Sequence, residues 1–219
     1  QPLTNTYAAL EVLKEKYEEA LSLDNIVGLS IGTRADCISD EILDYLSELN
    51  GRTYLWVELG LQSSNDKTGK LINRCHDFID FKNTTLRLKE RGIRVCVHII
   101  NGLPNETYTD MINTLKDIER LGIDGIKIHL LHVLSDTMLY KYYIQGNLRL
   151  LERNEYIRLV VDQLELLSEN VIIHRLTGDA PKNKLIGPKW SENKISILND
   201  IDKLLKERDS WQGKYKLEY

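Results

Sequence analysis

Three apolar segments that each end in polar residues most constrain how this chain can fold. They are residues 56–62 (WVELGLQ), 95–107 (VCVHIINGLPNET) and 126–132 (IKIHLLH). Each has the composition of a buried strand that delivers polar side chains at its C-terminal end. Strands of this kind form parallel barrels, whose active sites lie at the rim made by the C-terminal strand ends. The sequence therefore predicts a parallel sheet with a functional rim.

Helical patterns separate the apolar segments along the whole chain, which predicts βαβ units. The predicted strands cover residues 26–31, 54–61, 93–100, 126–134 and 171–176. The predicted helices cover residues 7–23, 77–91, 107–121, 154–167 and 192–208, with one more that begins after Ser39. Five strands are too few to close an eight-stranded barrel. The fold class is therefore predicted as α/β, a partial barrel, in preference to a doubly wound sheet, since no glycine-rich dinucleotide turn is found.

The beginning of the chain suggests a piece of a longer protein. It opens on Gln1 without an initiator methionine, and its first predicted element is a helix. We expect at least one further strand upstream. The domain prediction is a partial barrel over residues 1–180 and a basic helical extension over residues 181–219.

Composition and charge exclude some classes and leave others open. The net charge of −4 gives no general attraction for nucleic acid, and no apolar run reaches the roughly 18 residues that span a membrane. From His174 onward, however, ten Lys and Arg face seven Asp and Glu, and Trp211 lies among them. Such a tail could hold a phosphate backbone, although a solvated polar face is the simpler explanation.

The three cysteines, Cys37, Cys75 and Cys96, are far apart and form no pair with metal-ligand spacing. This pattern predicts reduced thiols and a cytoplasmic protein. We predict no metal ligand within the chain, since His129 and His132 would point to opposite faces of a strand.

Strand alternation predicts which polar residues share one face. Glu58, His98, Lys127 and His129 would line the same side of the sheet. Buried groups of this kind usually bind one another, water or a ligand. Arg74, just after the second strand, could clamp a carboxylate with two hydrogen bonds. A cofactor-free aldolase or isomerase that uses Lys127 as a Schiff-base nucleophile is a further possibility.

The sequence resembles the radical S-adenosylmethionine (SAM) enzymes. It is most similar to a small bacterial branch near the Elongator catalytic subunit and the oxygen-independent coproporphyrinogen oxidases. The resemblance rests on residues 30–36 (SIGTRAD), 57–63 (VELGLQS), 71–74 (LINR), 98–107 (HIINGLPNET), 174–179 (HRLTGD) and 190–194 (WSENK). It implies a six-stranded partial barrel of the radical SAM type in which SAM caps a [4Fe-4S] cluster and yields a 5′-deoxyadenosyl radical.

The resemblance also implies roles for individual residues. Gln62 would bind the SAM ribose and Arg74 the SAM carboxylate, while residues 100–103, with Ile100, Gly102 and Leu103, would pack on the adenine. The remaining residues that it implies are His98, Glu58 and Arg34 on the cofactor side, and Lys127, His129, His132 and His174 on the substrate side. No catalytic residue is implied.

The sequence departs from the family pattern in two places. The three cluster cysteines of the family's C-x-x-x-C-x-x-C loop are absent and are expected before Gln1, together with the first strand. Ser30 stands where several relatives carry an acidic contact to SAM. We therefore expect the fragment alone to be inactive.

The functional expectation is a radical SAM enzyme that abstracts a hydrogen atom, with a tRNA wobble uridine as the first candidate substrate. The resemblance implies an electron donor such as flavodoxin or ferredoxin and no association with membranes. Two alternatives stay open: an oxidoreductase acting on a small molecule such as a tetrapyrrole, and a barrel without catalysis that binds RNA or a protein.

Overall fold

A computed structural model of the chain describes residues 4–216. The helices are α1 Leu10–Leu21, α2 Asp40–Arg52, α3 Asp66–Leu71, α4 Phe78–Glu90, α5 Tyr108–Glu119, α6 Met138–Ile144, α7 Arg153–Leu166 and α8 Lys194–Glu207. The strands are β1 Gly28–Thr33, β2 Tyr54–Gln62, β3 Arg94–Asn101, β4 Gly125–Leu130, β5 Val133–Leu134, β6 Ile172–Arg175 and β7 Leu185–Gly187. Short 3₁₀ helices cover Ala35–Cys37 and Lys189–Glu192.

The main sheet contains five parallel strands in the order β1-β2-β3-β4-β6. This confirms the predicted α/β fold, and the truncated barrel fits the arrangement. Helices pack on one face of the sheet, where Val57, Val97 and Ile128 are fully buried within the main core. Alternate residues face the other way, and we call that side the inner face. The C-terminal ends of β1 to β4 form the rim.

Local sequence signals explain where several helices begin. Thr107 accepts a hydrogen bond from the backbone N–H of Asp110, and the Asp110 carboxylate accepts one from the N–H of Thr107. This capping box satisfies N–H groups that have no partner within α5. Ser39 caps α2 in a similar way by accepting from the N–H of Ile42. Both helices were predicted from these caps.

The fourth predicted strand, residues 126–134, is wrong in its second half. β4 ends at Leu130, and Val133–Leu134 forms a separate antiparallel pair with Leu185–Gly187. The apolar run continues through the turn because the second pair is also buried, so hydrophobicity alone does not mark the break. His132 therefore lies in a connection and does not follow strand alternation.

The segment after residue 180 packs against the rest of the molecule. β7 pairs with β5, and α8 contacts α7 and places Ile197 and Ile201 in the main core. The predicted last helix, residues 192–208, is confirmed as α8, and the 3₁₀ turn Lys189–Glu192 precedes it. A domain boundary at residue 180 stays a prediction.

The C-terminal tail lies at the end of the sheet opposite the rim. The side-chain amide of Gln212 donates to the carbonyl oxygens of Ser168 and Val171, at 2.7 and 2.8 Å, and both residues lie just before β6. Trp211 is exposed, with Nζ of Lys214 5.0 Å from its ring centroid. Trp211 and Lys214 are thus placed away from the rim. Within residues 4–216, no helix is long and apolar enough to cross a bilayer.

Candidate functional site

Two adjoining cavities open at the rim. The polar cavity has a volume of about 460 Å³ and the apolar cavity about 580 Å³. They share the side chains of Gln62, Ile72 and Asn73. The polar cavity is lined further by Thr4, Gly32, Thr33, Arg34, Glu58, Gly60, Arg74 and His98. The apolar cavity is lined further by Leu71, Ile100, Leu103, Pro104, Leu131, Met138, Leu139 and Tyr142. Together they form one cleft with a polar half and an apolar half.

Gln62 stands where the two halves meet. Its backbone has a φ of 69°, and the register of β2 against β3 shifts between Gly60 and Gln62. A Cβ added at Gly60 would lie 2.9 Å from Nε2 of Gln62, so the glycine leaves room for the amide to fold over it. The shift therefore places the Gln62 amide against Gly60 at the rim, as an available donor and acceptor.

Arg74 occupies a position that the sequence prediction did not anticipate. Its residue is only 6% exposed, and four of its N–H groups are already engaged within the protein. They donate to the carbonyl oxygens of Leu61, Ser63 and His76 and to the carboxylate of Asp66. The guanidinium therefore links the loop after β2 to the C-terminal end of β2 through hydrogen bonds. Arg74 also lines the polar cavity, and its predicted contact with a ligand carboxylate stays a prediction.

Arg34 borders the polar cavity but is also paired. Its Nε and Nη2 donate to the two carboxylate oxygens of Asp36 at 2.9 and 2.5 Å. This bidentate contact raises the pKa of Arg34 further above its ordinary value, although burial acts in the opposite direction. Arg34 thus lies on the cofactor side, as predicted, but the Asp36 carboxylate already balances its charge.

A compact charged cluster lies on the inner face below the cleft. Oε2 of Glu58 accepts from Nε2 of His98 at 2.7 Å and from Nζ of Lys127 at 2.5 Å, and Oε1 accepts from Oγ of Ser30 at 2.6 Å. The hydrogen bond from His98 is the main cause that holds the pKa of Glu58 far below its usual range. The contacts from Lys127 and Ser30 act in the same direction, whereas burial opposes them. Strand alternation predicted that Glu58, His98 and Lys127 share a face, and the structure brings them into contact.

Replacing Glu58 by glutamine is expected to lower the free energy of unfolding by about 2 kcal/mol at pH 7, since charge-assisted hydrogen bonds are lost. Because the folded-state pKa is depressed, this stabilisation is fully present above the ordinary value of 4.5 and is lost as the pH falls below it. The difference between the two proteins, measured by urea denaturation, should therefore shrink from pH 7 to pH 3. The exposed Glu90→Gln serves as the control, and an undiminished difference at pH 3 would contradict the assignment.

His129 lies beside this cluster with one ring nitrogen unsatisfied. Its ring centroid is 5.3 Å from that of His98, and its buried Nε2 has no hydrogen-bond partner among residues 4–216. Burial lowers the pKa of His129 to about 3, and the nearby positive groups His98, Arg175, Lys127 and His132 act in the same direction. The imidazole is thus neutral at physiological pH.

His132 and His174 complete the predicted histidines. His132 was predicted on the opposite face from His129, but a Cβ added at Gly178 would be 3.2 Å from Nδ1 of His129 and 3.8 Å from Cε1 of His132. Both rings therefore approach the same glycine, because the chain turns after β4. Nε2 of His132 is 3.1 Å from Oγ of Ser191. The ring of His174 packs edge-on against Trp56 at 4.7 Å, below the rim.

The turn after β3 forms the floor of the apolar half. Ile100 and Leu103 line it, and Gly102 between them has a φ of 87°, a backbone conformation that suits glycine. The N–H of Gly102 points to Sδ of Met111 at 3.1 Å. The predicted residues thus form an apolar surface next to Gln62.

Sequence reasoning missed the opposite wall of the apolar half. α6 contributes Met138, Leu139 and Tyr142 to the wall, yet none of its residues is buried. Their spacing of one and four residues matches one helical face and is the signal that could have identified the wall. Ile72 and Asn73 were also missed as cavity residues. They follow the short helix α3, which was not predicted.

The described residues contain no site for a metal cluster. Among residues 4–216, no group of three His, Cys, Asp or Glu side chains could hold a metal ion. Cys37 and Cys96 are buried, and Cys75 is exposed; none of the three is in a disulfide. Burial raises the pKa of Cys96 to about 12, so this thiol stays protonated.

Two family models match the chain. The radical SAM superfamily model covers residues 1–118, and the radical SAM C-terminal domain model covers residues 123–207. The family matches therefore extend over most of the chain, including the cleft, the charged cluster and α8.

Similar proteins occur in bacteria and archaea. The uncharacterised protein YtqA of Bacillus subtilis is 52% identical over 98% of this chain, and the protein YhcC of Escherichia coli K12 is 38% identical over 94%. The chain spans 67% of the length of each. A tRNA uridine(34) acetyltransferase of Methanocaldococcus infernus is 26% identical over 73% of this chain, which covers 30% of that protein.

Two solved structures share the fold. The archaeal Elp3 of Methanocaldococcus infernus, solved with an N-terminal deletion, superposes with a TM-score of 0.76 at 22% identity, covering 91% of this chain and 46% of that one. Coproporphyrinogen III oxidase (HemN) of Escherichia coli gives a TM-score of 0.53 at 18% identity, covering 93% and 38%. At such identities the likeness concerns the fold alone.

Proposed function

Since this chain belongs to the radical SAM superfamily, we propose that the intact protein binds SAM in the rim cleft and uses it for hydrogen abstraction from a substrate. Proteins of this superfamily are generally enzymes that bind SAM and a [4Fe-4S] cluster. The single observation that carries the proposal is the cleft itself, whose polar and apolar halves meet at Gln62.

The residues present fit SAM in size and chemistry. The purine ring offers a flat apolar face that Ile100 and Leu103 can cover, while the ribose hydroxyls can pair with the amide of Gln62. The space that Gly60 leaves beside Nε2 of Gln62 gives that amide freedom to turn towards a ligand. Asn73 provides a second amide in the shared wall. We therefore place the adenosine across the junction of the two halves.

The cluster does not fit the described residues, because no thiolate group of the required kind exists between residues 4 and 216. Cluster ligands would have to come from a part of the protein outside this range. When bound, such a cluster supplies the electron that cleaves SAM. The chain's own part is to hold the cofactor, shape the cleft and exclude water. A flavodoxin or ferredoxin is our proposal for the electron donor.

The substrate that we propose is a tRNA uridine. The support is the similarity to a protein named tRNA uridine(34) acetyltransferase, since an RNA substrate of one relative makes RNA a reasonable test for another. The tail adds little to this argument. It lies at the opposite end of the sheet, about 25 Å away for strands of this length, so it would contact a different part of an RNA.

Schiff-base chemistry at Lys127 is poorly supported. Nζ of Lys127 already donates to the Glu58 carboxylate at 2.5 Å, whereas attack on a carbonyl needs a nitrogen lone pair directed at the substrate. The tetrapyrrole alternative and the barrel that binds without catalysis are left to experiment.

The test is production of 5′-deoxyadenosine by the intact protein, reconstituted with iron and sulfide and reduced without oxygen. We expect the nucleoside when SAM is supplied and an increase when bulk tRNA is added. An increase with a tetrapyrrole but not with tRNA would overturn the substrate proposal. Absence of the nucleoside from a protein with a verified cluster, under all substrate conditions, would favour a barrel that only binds.

A further inference from the structure

The cations around the cleft differ in whether a carboxylate balances them. Arg34 pairs with Asp36, Arg74 with Asp66, and Lys127 with Glu58. Arg175 at the end of β6 has no carboxylate within ion-pair distance among residues 4–216, although it is only partly exposed. It lies in register with Lys127 on the neighbouring strand. The inner face therefore carries one unbalanced positive charge beside Lys127.

The unsatisfied imidazole of His129 lies in the same place. Its buried Nε2 has no hydrogen-bond partner among residues 4–216, and an unpaired buried polar atom destabilises the fold unless a ligand satisfies it. The charged or titratable groups that act on its pKa are His98 on β3, Lys127 on β4, His132 after β4 and Arg175 on β6. None of these is acidic, and the Glu58 carboxylate nearby already accepts three hydrogen bonds. The nearby carboxylate of Asp179, which acts on His132, pairs with Lys194 at 3.0 Å.

We propose that His129, Lys127 and Arg175 form a subsite for an oxyanion of the substrate, a carboxylate or a phosphate diester. The ammonium of Lys127 has two donors beyond the one given to Glu58, and the guanidinium of Arg175 can present a planar pair of N–H groups. His129 supplies an N–H to the oxyanion when the proton resides on Nε2. An anion bound here would balance the charge of Arg175 and would also accept a hydrogen bond from the buried Nε2 of His129.

This inference rests on the proposed function, since it specifies the charge of the substrate that the cleft accepts. The carboxylate of SAM itself is the competing occupant, because four of the five N–H groups of Arg74 are already engaged within the protein. The two occupants are separable. A substrate subsite leaves SAM affinity unchanged when Arg175 is replaced, whereas a cofactor subsite does not.

The experiment uses the ring signals of the histidines in the intact protein labelled with ¹⁵N-histidine. The signals of His129 are assigned as those that disappear in a His129→Gln variant. Acetate and dimethyl phosphate are titrated separately at constant ionic strength. We expect a saturable shift of the His129 signals, with a dissociation constant that rises about tenfold in Arg175→Gln, as expected for loss of a charge-assisted contact.

Arg94→Gln is the matched control, since Arg94 begins β3 on the same inner face but packs over the ring of Tyr54 at the other end. It should leave the dissociation constant unchanged. Arg175→Lys, which keeps the positive charge, should recover part of the affinity for the anions. Such a recovery would show that the loss in Arg175→Gln comes from the missing charge and not from a perturbed fold.

The results of the two titrations distinguish the possible sources of the oxyanion. Binding of acetate alone indicates a carboxylate on the substrate, and binding of dimethyl phosphate alone indicates a nucleic-acid backbone. The proposal is overturned if neither ion produces a saturable shift of the His129 signals. It is also overturned if SAM produces an equal shift and binds more weakly to the Arg175→Gln variant. If the anions bind but SAM does not, the subsite stands and the proposed function fails.

Discussion

Replacing Arg74 by methionine is expected to lower the free energy of unfolding by about 3–5 kcal/mol, the usual range for removing one partner of a buried charged network. Methionine approximates the volume of the side chain but removes the donor to the carbonyl oxygens of Ser63 and His76 and the cation that pairs with Asp66. Urea denaturation at neutral pH measures the change.

Arg52→Met provides the matched control, because Arg52 pairs with Glu18 on the surface, and exposed ion pairs contribute about 0–1 kcal/mol. A loss at Arg74 no larger than at Arg52 would contradict the structural role. The stability loss should appear without any ligand, which separates this role from the predicted contact to the SAM carboxylate.

Replacing Ile100 by aspartate is expected to weaken SAM binding about 100-fold. The change places a carboxylate on the floor of the apolar half, where the adenine would have to desolvate it, and a penalty of about 3 kcal/mol corresponds to this factor. Equilibrium binding of SAM to the intact protein measures the effect.

Ile79→Asp is the control for the same chemical change at an exposed position of α4. It should leave SAM affinity unchanged. Equal affinities for the Ile100→Asp and unmodified proteins would place the adenine elsewhere and remove the main support for the cofactor orientation that we propose.

The sequence was most informative where one physical rule determines the outcome. Strands of a parallel sheet are rich in apolar residues because other elements cover them, and these apolar runs located β2, β3 and β4, although the last run was extended to residue 134. Alternation then predicted that Glu58, His98 and Lys127 share a face. Their contact at 2.5–2.7 Å follows from the register of three neighbouring strands.

Other features depend on tertiary contacts that have no local signal. Arg74 was expected in a ligand site, because nothing in its neighbourhood in sequence indicates that the β2 strand end folds around it. The position of His132 depends on the pairing of β5 with β7, whose partner lies about 50 residues further along the chain. The open wall formed by α6 was missed because a short exposed helix leaves little periodic pattern. The roles assigned to individual residues in cofactor and substrate binding stay predictions.

The anchoring of the tail by Gln212 has a practical consequence for handling this protein. Because Lys214 and Lys216 lie at the end of the sheet away from the rim, a dye or a surface linker attached to one of them would leave the cleft open to solvent and to large substrates. Immobilisation through that end would present every molecule with the same orientation, cleft outward. Single-molecule and surface-based binding measurements could therefore use it without blocking the site that they are meant to report on.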